Sequence, residues 1–353
     1  MKNQYENLQE LKKEFKEIKN NQGTFEKIME NRRKEGKVSE IKLERILTCN
    51  DFLQIKKSKN GVAKVHRANN CEDRFCPICA KKKSLKLTSE VFPIIKWIYE
   101  KHDKRFIFVT LSSPNVKKEE LNDTINLYNT AFDRLKRYPE WKNLKGYIRK
   151  LEITYNEERD DYNPHFHVIF AINKTYFTDS RQYIKHERWL KMWQKATRLG
   201  EKIKVIDVRK IKDKNSNDLL KGALEVAKYS AKSQDYLKSD EIFDVFSRVL
   251  KCKRIFVYGG LFKEGKQKFL KGELDEYKEK DLNVYFLLYN LTFNKDKNSY
   301  DDKISQINSL NEFFKQFKEL NDREPTEEEK EELKAYFLEK YQVKIEDLTK
   351  NKK

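Results

Sequence analysis

Two histidines one residue apart, His165 and His167, open an apolar run in the stretch Asp161-Tyr162-Asn163-Pro164-His165-Phe166-His167-Val168-Ile169-Phe170. In an extended strand the side chains at i and i+2 share a face, so both imidazoles project together and can address one metal ion. Phe166, Val168 and Phe170 then point the other way, where a layer of helices can cover them. Pro164 suits the start of a strand, where its missing N–H costs no ladder bond. Just upstream, Gly146 to Asn156 alternates as a second strand, with Tyr147, Arg149, Leu151, Ile153 and Tyr155 on one face and Ile148, Lys150, Glu152 and Thr154 on the other. The polar connection from Glu157 to Asn163 is short, so the two strands should pair antiparallel and can bring Glu152 beside His165 and His167. Two imidazoles and a carboxylate form a mixed N/O site suited to a catalytic Mn²⁺ or Mg²⁺.

A second set of ligand-type residues precedes the first. Cys71, Cys76 and Cys79 read C-x4-C-x2-C with Pro77 inside, and a C-P-x-C knuckle holds two thiolates on a tight turn. Tetrahedral Zn²⁺ wants four such soft ligands; Cys49 is the natural fourth, with His66 as its rival. Such a site would be structural. The chain has five cysteines, an odd number that argues against a full disulfide framework, and Cys252 stands apart as a core or loop residue.

A third cluster lies on a helix expected from Leu219 to about Lys238. Glu225 and Tyr229 are four residues apart and Lys232 is three beyond, so all three can share a face. Beside two histidines, a tyrosine flanked by a carboxylate and an ammonium becomes a candidate nucleophile. Lys232, with Lys228 as the weaker choice, could offset phosphate charge or lower the tyrosine pKa from its usual value of about 10. Tyr236 falls on the same helical face and is a second candidate.

The elements that must position these residues follow from periodicity. Residues 1–45 form a highly charged arm with Leu8, Leu11, Phe15 and Ile18 at helical spacing, expected as a solvated basic helix. Asn60-Gly61 marks a β-hairpin inside the cysteine segment. Ser84 to Lys101 reads as a helix kinked or broken at Pro93. Arg105 to Ser113 is a strand, Asn122 to Lys136 a helix, Asp179 to Leu199 a helix ended by Gly200, and Ile203 to Ile211 a strand. Thr326 with Glu329 forms a capping box ahead of Leu333, Phe337 and Tyr341. Strands alternating with helices around an antiparallel connection make the fold class α+β. Four segments result: a basic helical arm (1–45), a cysteine-rich zinc-binding module (46–100), a catalytic domain (101–265) and a helical C-terminal region (266–353).

The 353 residues carry 76 Lys+Arg against 57 Asp+Glu, a net charge of +19 that favours a polyanionic partner such as nucleic acid. No apolar run reaches the roughly 18 residues of a membrane helix, and MKNQYENLQELKKEF lacks the apolar core of a secretion signal. A soluble cytoplasmic protein without membrane contact is expected. One function class compatible with the zinc module and basic surface is a non-catalytic DNA-binding regulator, but such a protein has no evident use for two His, a Glu and a Tyr in this set.

Taken in order, Cys71-Glu-Asp-Arg74-Phe-Cys76-Pro77-Ile-Cys79, Phe108-Val-Thr110-Leu-Ser112, Pro164-His165-Phe-His167-Val-Ile, Glu225-Val-Ala-Lys228-Tyr229-Ser-Ala-Lys232 and Tyr258-Gly259-Gly260-Leu-Phe262 resemble the rolling-circle plasmid replication initiators, specifically the single-tyrosine branch of the HUH endonuclease superfamily. The resemblance spans roughly residues 46–265. It implies a central antiparallel sheet with helices on its flanks and a site on one face. It further implies that His165 and His167 are metal ligands with Glu152 as the third, that Tyr229 is the nucleophile, and that a 5′-phosphotyrosine intermediate frees a 3′ end to prime synthesis. Glu225, one helical turn before Tyr229, would be the general base for a water that makes the second, terminating cut. The implied partners are a plasmid's double-strand origin, a single-stranded nick site, and the host helicase and polymerase; no ATP is needed, and no P-loop motif is found. A transposase or relaxase of the same superfamily is the neighbouring alternative, against which the zinc knuckle argues. The C-terminal region is compatible with origin recognition, homodimerisation or helicase contact.

Overall fold

The computed structural model describes residues 4–211, 218, 221, 233–278, 281–307 and 309–341. In chain order its elements are α1 (Leu8–Asn20), α2 (Gly23–Lys34), α3 (Glu40–Leu47), β1 (Phe52–Ser58), β2 (Ala63–Ala68), α4 (Pro77–Lys101), β3 (Lys104–Ser112) and α5 (Leu121–Leu135). There follow β4 (Leu144–Asn156), β5 (Asp161–Asn173), α6 (His186–Thr197), β6 (Asp207–Lys210), the short α7 (Ser233–Tyr236), α8 (Asp240–Leu250), β7 (Phe256–Gly260) and α9 (Leu261–Leu270). The last are β8 (Tyr285–Asn294), β9 (Ser299–Ile304), α10 (Leu310–Asn321) and α11 (Glu327–Tyr341). The mixture of antiparallel sheets and helices is the α+β class read from the pattern. Two compact units emerge, Met1–Ala80 with Lys280–Lys353, and Lys81–Glu279.

The first unit is built on a four-stranded antiparallel sheet, β2-β1-β8-β9. Its β1–β2 hairpin turns at the expected Asn60-Gly61, where Gly61 takes φ +91° and donates to the Ser58 carbonyl at 3.0 Å. The C-terminal region needs correcting: it is not purely helical, because residues 285–294 pair with β1 and residues 299–304 extend the sheet. Tyr285, Phe286, Leu287 and Leu291 are buried there, in a run rich in the aromatic residues that pleated surfaces favour. The N-terminal helix is likewise not a solvated arm. Leu8, Leu11 and Phe15 pack with Leu53, Ile55, Leu291 and Tyr300, so the thin apolar stripe is the lid of this sheet. Phe313, Phe317, Leu333 and Phe337 cover Phe286 and Leu287 from α10 and α11.

The second unit is a five-stranded, wholly antiparallel sheet in the order β6-β3-β5-β4-β7. One face is roofed by α5 and α6: Phe166 lies 5.6 Å from Tyr128 and Phe170 lies 5.4 Å from Trp189, ring centre to ring centre. The Trp193 indole N–H donates to the Ser112 carbonyl at 2.7 Å, tying α6 to the end of β3. The opposite face is covered over only part of its length, where α4 and α9 bury Phe106, Phe108, Ile148, Ile169 and Ala171. α4 runs unbroken through Pro93. At the other end of that face the strands carry polar residues.

The bounds of two expected elements move. α6 begins at His186 rather than Asp179, because the Asp179 carboxylate accepts from the Arg181 backbone N–H and the Gln182 side chain and so holds a turn that competes with helix. It ends at Arg198, in the left-handed conformation with φ +63°, and the following strand shortens to Asp207–Lys210. β7 joins β4 through Tyr147↔Gly259 and Gly146↔Gly260. A Cβ on Gly259 would sit 2.2 Å from the Tyr147 ring, and Gly260, at φ +54°, lies against the Lys145 carbonyl. The Tyr-Gly-Gly motif is therefore a close approach of two strands.

Candidate functional site

The register of three strands assembles the first cluster. Glu152 of β4 pairs across from His165 of β5, Lys150 from His167, and on the other side Ser112 and Thr110 of β3 face His165 and His167. All six belong to the open end of the partly covered face, and the expected approach of Glu152 to both histidines is present. His165 Nε2 and His167 Nε2 are 3.1 Å apart, and His167 Nε2 is 3.3 Å from Glu152 Oε2. The His165 Nδ1 lies 3.0 Å from the Asn163 carbonyl, which can only accept, so Nδ1 carries the proton and Nε2 keeps its lone pair for the site. His167 Nδ1 is 3.2 Å from the Thr110 hydroxyl, which fixes the second ring.

These spacings suit a cation. With bonds of about 2.1 Å, neighbouring ligand atoms are about 3.0 Å apart in an octahedron and about 3.4 Å in a tetrahedron. The observed 3.1 and 3.3 Å fall in that interval, and the side chains of His167 and Glu152 remain 16% and 12% exposed. The protonation states also suit it. Burial, then the neighbouring His167 imidazole, lower the His165 pKa to about 4, so the ring is neutral near pH 7. Burial opposes ionisation of Glu152, but the hydrogen bond with His167 and the ammonium of Lys150 outweigh it and lower that carboxyl to about 2.

Lys150 is the residue that sequence reasoning did not single out. Its side chain is 0% exposed and its Nζ lies 2.6 Å from Glu152 Oε2. The signal was there in the alternation, which puts Lys150 and Glu152 on one face two residues apart, but nothing in the sequence says that the lysine is buried. The other three histidines are engaged elsewhere: His66 lies 3.4 Å from Glu319, His102 stacks edge-on to Trp97, and His186 lies 2.8 Å from the Ile206 carbonyl.

Glu225, Lys228, Tyr229 and Lys232 lie outside the described residues. Tyr236, the second tyrosine of that segment, is described and is fully buried, its ring 6.4 Å from Phe243 and 6.1 Å from Phe246. It serves as a core residue and offers no exposed oxygen to a substrate.

In the first unit, Cys49 after α3, Cys71 after β2 and Cys76 and Cys79 at the start of α4 bring their sulfurs within 4.8 Å of one another. Sγ separations of 3.8 Å (Cys49–Cys76), 3.6 Å (Cys49–Cys79) and 3.6 Å (Cys71–Cys79) compare with the edge of about 3.8 Å in a tetrahedron of 2.3 Å zinc–sulfur bonds. The four thiols could thus hold one zinc ion with no open position. His66, the rival for Cys49, is outside this group. The Lys19 ammonium donates to the Cys49 carbonyl at 2.8 Å and pairs with Asp51 at 2.7 Å, which anchors the first ligand's backbone.

Comparison with known proteins adds the family. A family model described as "Replication protein" matches residues 62–296. The chain is 44% identical over 202 residues to "Protein rep" of Staphylococcus aureus, covering 57% of this chain and 86% of that one. It is 35% identical over 231 residues to "Protein rep" of Streptococcus pneumoniae (64% and 71% covered) and 31% identical over 245 residues to that of Lentilactobacillus hilgardii (67% and 78%). No solved structure matches. The matched span contains the Glu152, His165 and His167 cluster, and from these findings the chain belongs to the replication-protein family, the plasmid replication initiators that its motifs resemble.

Proposed function

We propose that this protein starts rolling-circle replication by nicking one strand at a plasmid's double-strand origin, with Tyr229 as nucleophile and Glu152, His165 and His167 as the metal-binding residues. The observation that carries this is the convergence of those three ligand groups on the open end of one sheet face, in a chain of the replication-protein family. A Mn²⁺ or Mg²⁺ ion bound there would polarise the scissile phosphate. His165 and His167 present Nε2 toward it, with His165 steadied by Asn163 and His167 by Thr110. The phenolate oxygen of Tyr229 attacks phosphorus, so that a Tyr–phosphate ester forms as the bond to the 3′ oxygen breaks. The tyrosine proton is lost and the 3′ oxygen gains one, leaving a primer end for the host polymerase behind a host helicase. One ester replaces another, so no nucleotide is consumed. Lys232 offsets phosphate charge near the tyrosine. At the end of a round Glu225 takes a proton from the water that cuts the regenerated origin, and the freed 3′-hydroxyl then attacks the phosphotyrosine to rejoin the strand. The four cysteines hold a structural Zn²⁺, consistent with their number and sulfur spacing.

The test is incubation of the purified chain with a supercoiled plasmid carrying its own gene and flanking DNA, with Mn²⁺ or Mg²⁺. Nicked circles bearing protein on a 5′ end are expected. Tyr229→Phe should bind the same DNA without cutting it; full nicking by that variant would move the nucleophile to another residue.

A further inference from the structure

The most unusual group near the site is Lys150. A lysine with no exposed side-chain surface is rare, and it lies 2.6 Å from Oε2 of Glu152, the same oxygen that faces His167. Being buried, it cannot contact DNA, so it acts on the site through Glu152. Its charge also cannot be screened by solvent as a surface lysine's is. The only anionic group in the cluster of Glu152, His165 and His167 therefore has an ammonium on the oxygen that faces His167, and an imidazole brings no negative charge. An incoming divalent cation meets a carboxylate whose negative charge is already offset. The missing negative charge is what a phosphodiester oxygen would bring.

We propose that Lys150 weakens the site for free divalent cations and so makes cation loading depend on bound DNA. This rests on Glu152, His165 and His167 being the metal ligands. By linkage the dependence is reciprocal: DNA tightens the cation by the same factor as the cation tightens DNA. A strand would then be held in a cleavage-competent state only where both are present. Lys150 is thus a positioning and charge-setting residue rather than a catalytic one.

The experiment measures Mn²⁺ affinity by calorimetry on zinc-loaded full-length protein carrying Tyr229→Phe, which keeps the DNA intact, with and without single-stranded DNA from the nicked region. The parent should bind Mn²⁺ at least about tenfold more tightly with DNA than without. Lys150→Met and Lys150→Gln should each bind Mn²⁺ about tenfold or more tightly than the parent in the absence of DNA, with the DNA effect correspondingly reduced. Gln keeps a hydrogen-bond donor to Glu152 while removing the charge. It also carries the test if the methionine variant fails to fold, as judged by tryptophan emission. Parental or weaker DNA-free affinity in the charge-free variants overturns the proposal. Mn²⁺ binding that persists in the His165→Ala/His167→Ala variant overturns the metal assignment, and this proposal with it. Binding abolished there but unchanged by Lys150 substitution overturns the role of Lys150 alone.

Discussion

His165 and Glu152 owe their protonation states to burial and to the groups that strand alternation and pairing set beside them. The Asn163 carbonyl fixes the tautomer of His165, burial keeps that ring neutral, and Lys150 with His167 keeps Glu152 ionised. Because the cluster sits at the open end of the sheet, removing the imidazoles should cost little packing. His165→Ala with His167→Ala is therefore expected to lower nicking at least about 100-fold, the scale for losing one centre of charge stabilisation. Its melting temperature should stay within a few degrees of the parent. Retained metal-dependent cleavage in that variant would place the metal elsewhere. Glu225→Gln should still nick and form the first adduct but terminate poorly, visible as over-long displaced strands in a replication assay. Unit-length products would remove the water-activating role. Tyr236 is not a ready substitute nucleophile, since its ring is closed in by Phe243 and Phe246.

At the scale of elements, what could be read from the sequence was what local spacing decides. The His-x-His alternation, the brief β4–β5 connection and the Asn-Gly turn each depend on neighbours in the chain, and each appears in the structure. The capping box does too: the Thr326 backbone N–H donates to Glu329 at 2.8 Å and the Glu329 N–H to the Thr326 hydroxyl at 3.2 Å. What escaped was long-range pairing. Residues 285–294 become a strand because β1, more than two hundred residues earlier, offers an edge, and α1 is buried because that sheet offers a face. Burial of Lys150 escaped for the same reason. Three predictions belong here. Thr326→Ala should destabilise the start of α11 by about 1 kcal/mol. The hydrogen bond from Arg323 is the chief cause lowering the Glu329 carboxyl to about 2, below its ordinary value near 4.5, so the Glu329 contribution is complete above pH 4.5. It is lost as pH falls from there toward 2, which a urea titration series across that range would read as a falling midpoint in the parent and a flatter one in Glu329→Gln. Gly260→Ala should cost about 2 kcal/mol or more, since φ +54° and the Lys145 carbonyl both oppose a Cβ. A parental urea midpoint would show that β7 can shift without loss.

Across the whole molecule, chemistry is partitioned between units. The four cysteines belong to the first unit, the Glu-His-His cluster to the second, and all four tryptophans, Trp97, Trp141, Trp189 and Trp193, fall in the second as well. No described helix is long and apolar enough to cross a membrane. The net charge of +19 predicts that affinity for DNA falls steeply with salt, as counterion release requires. The tryptophan distribution allows a cleaner test of what the cysteine cluster does. Trp189 and Trp193 of α6 are buried among residues of their own unit, Tyr128 and Phe170 among them, so their emission reports on that unit's core. Helices α1, α2 and α3, by contrast, precede Cys49, and the Lys19 ammonium of α1 grips the carbonyl of that residue. If the four thiolates hold zinc, withdrawing it leaves four buried sulfurs crowded together with no cation, and the segments they pin should loosen. Chelation under reducing conditions is therefore expected to release about one zinc per chain and to lower the helical far-ultraviolet signal while the tryptophan emission maximum stays in place. Cys49→Ser should reproduce that loss. Unchanged zinc content in Cys49→Ser would assign the fourth ligand elsewhere, and a red-shifted emission on chelation would mean that the cluster supports the second unit's core as well as its own.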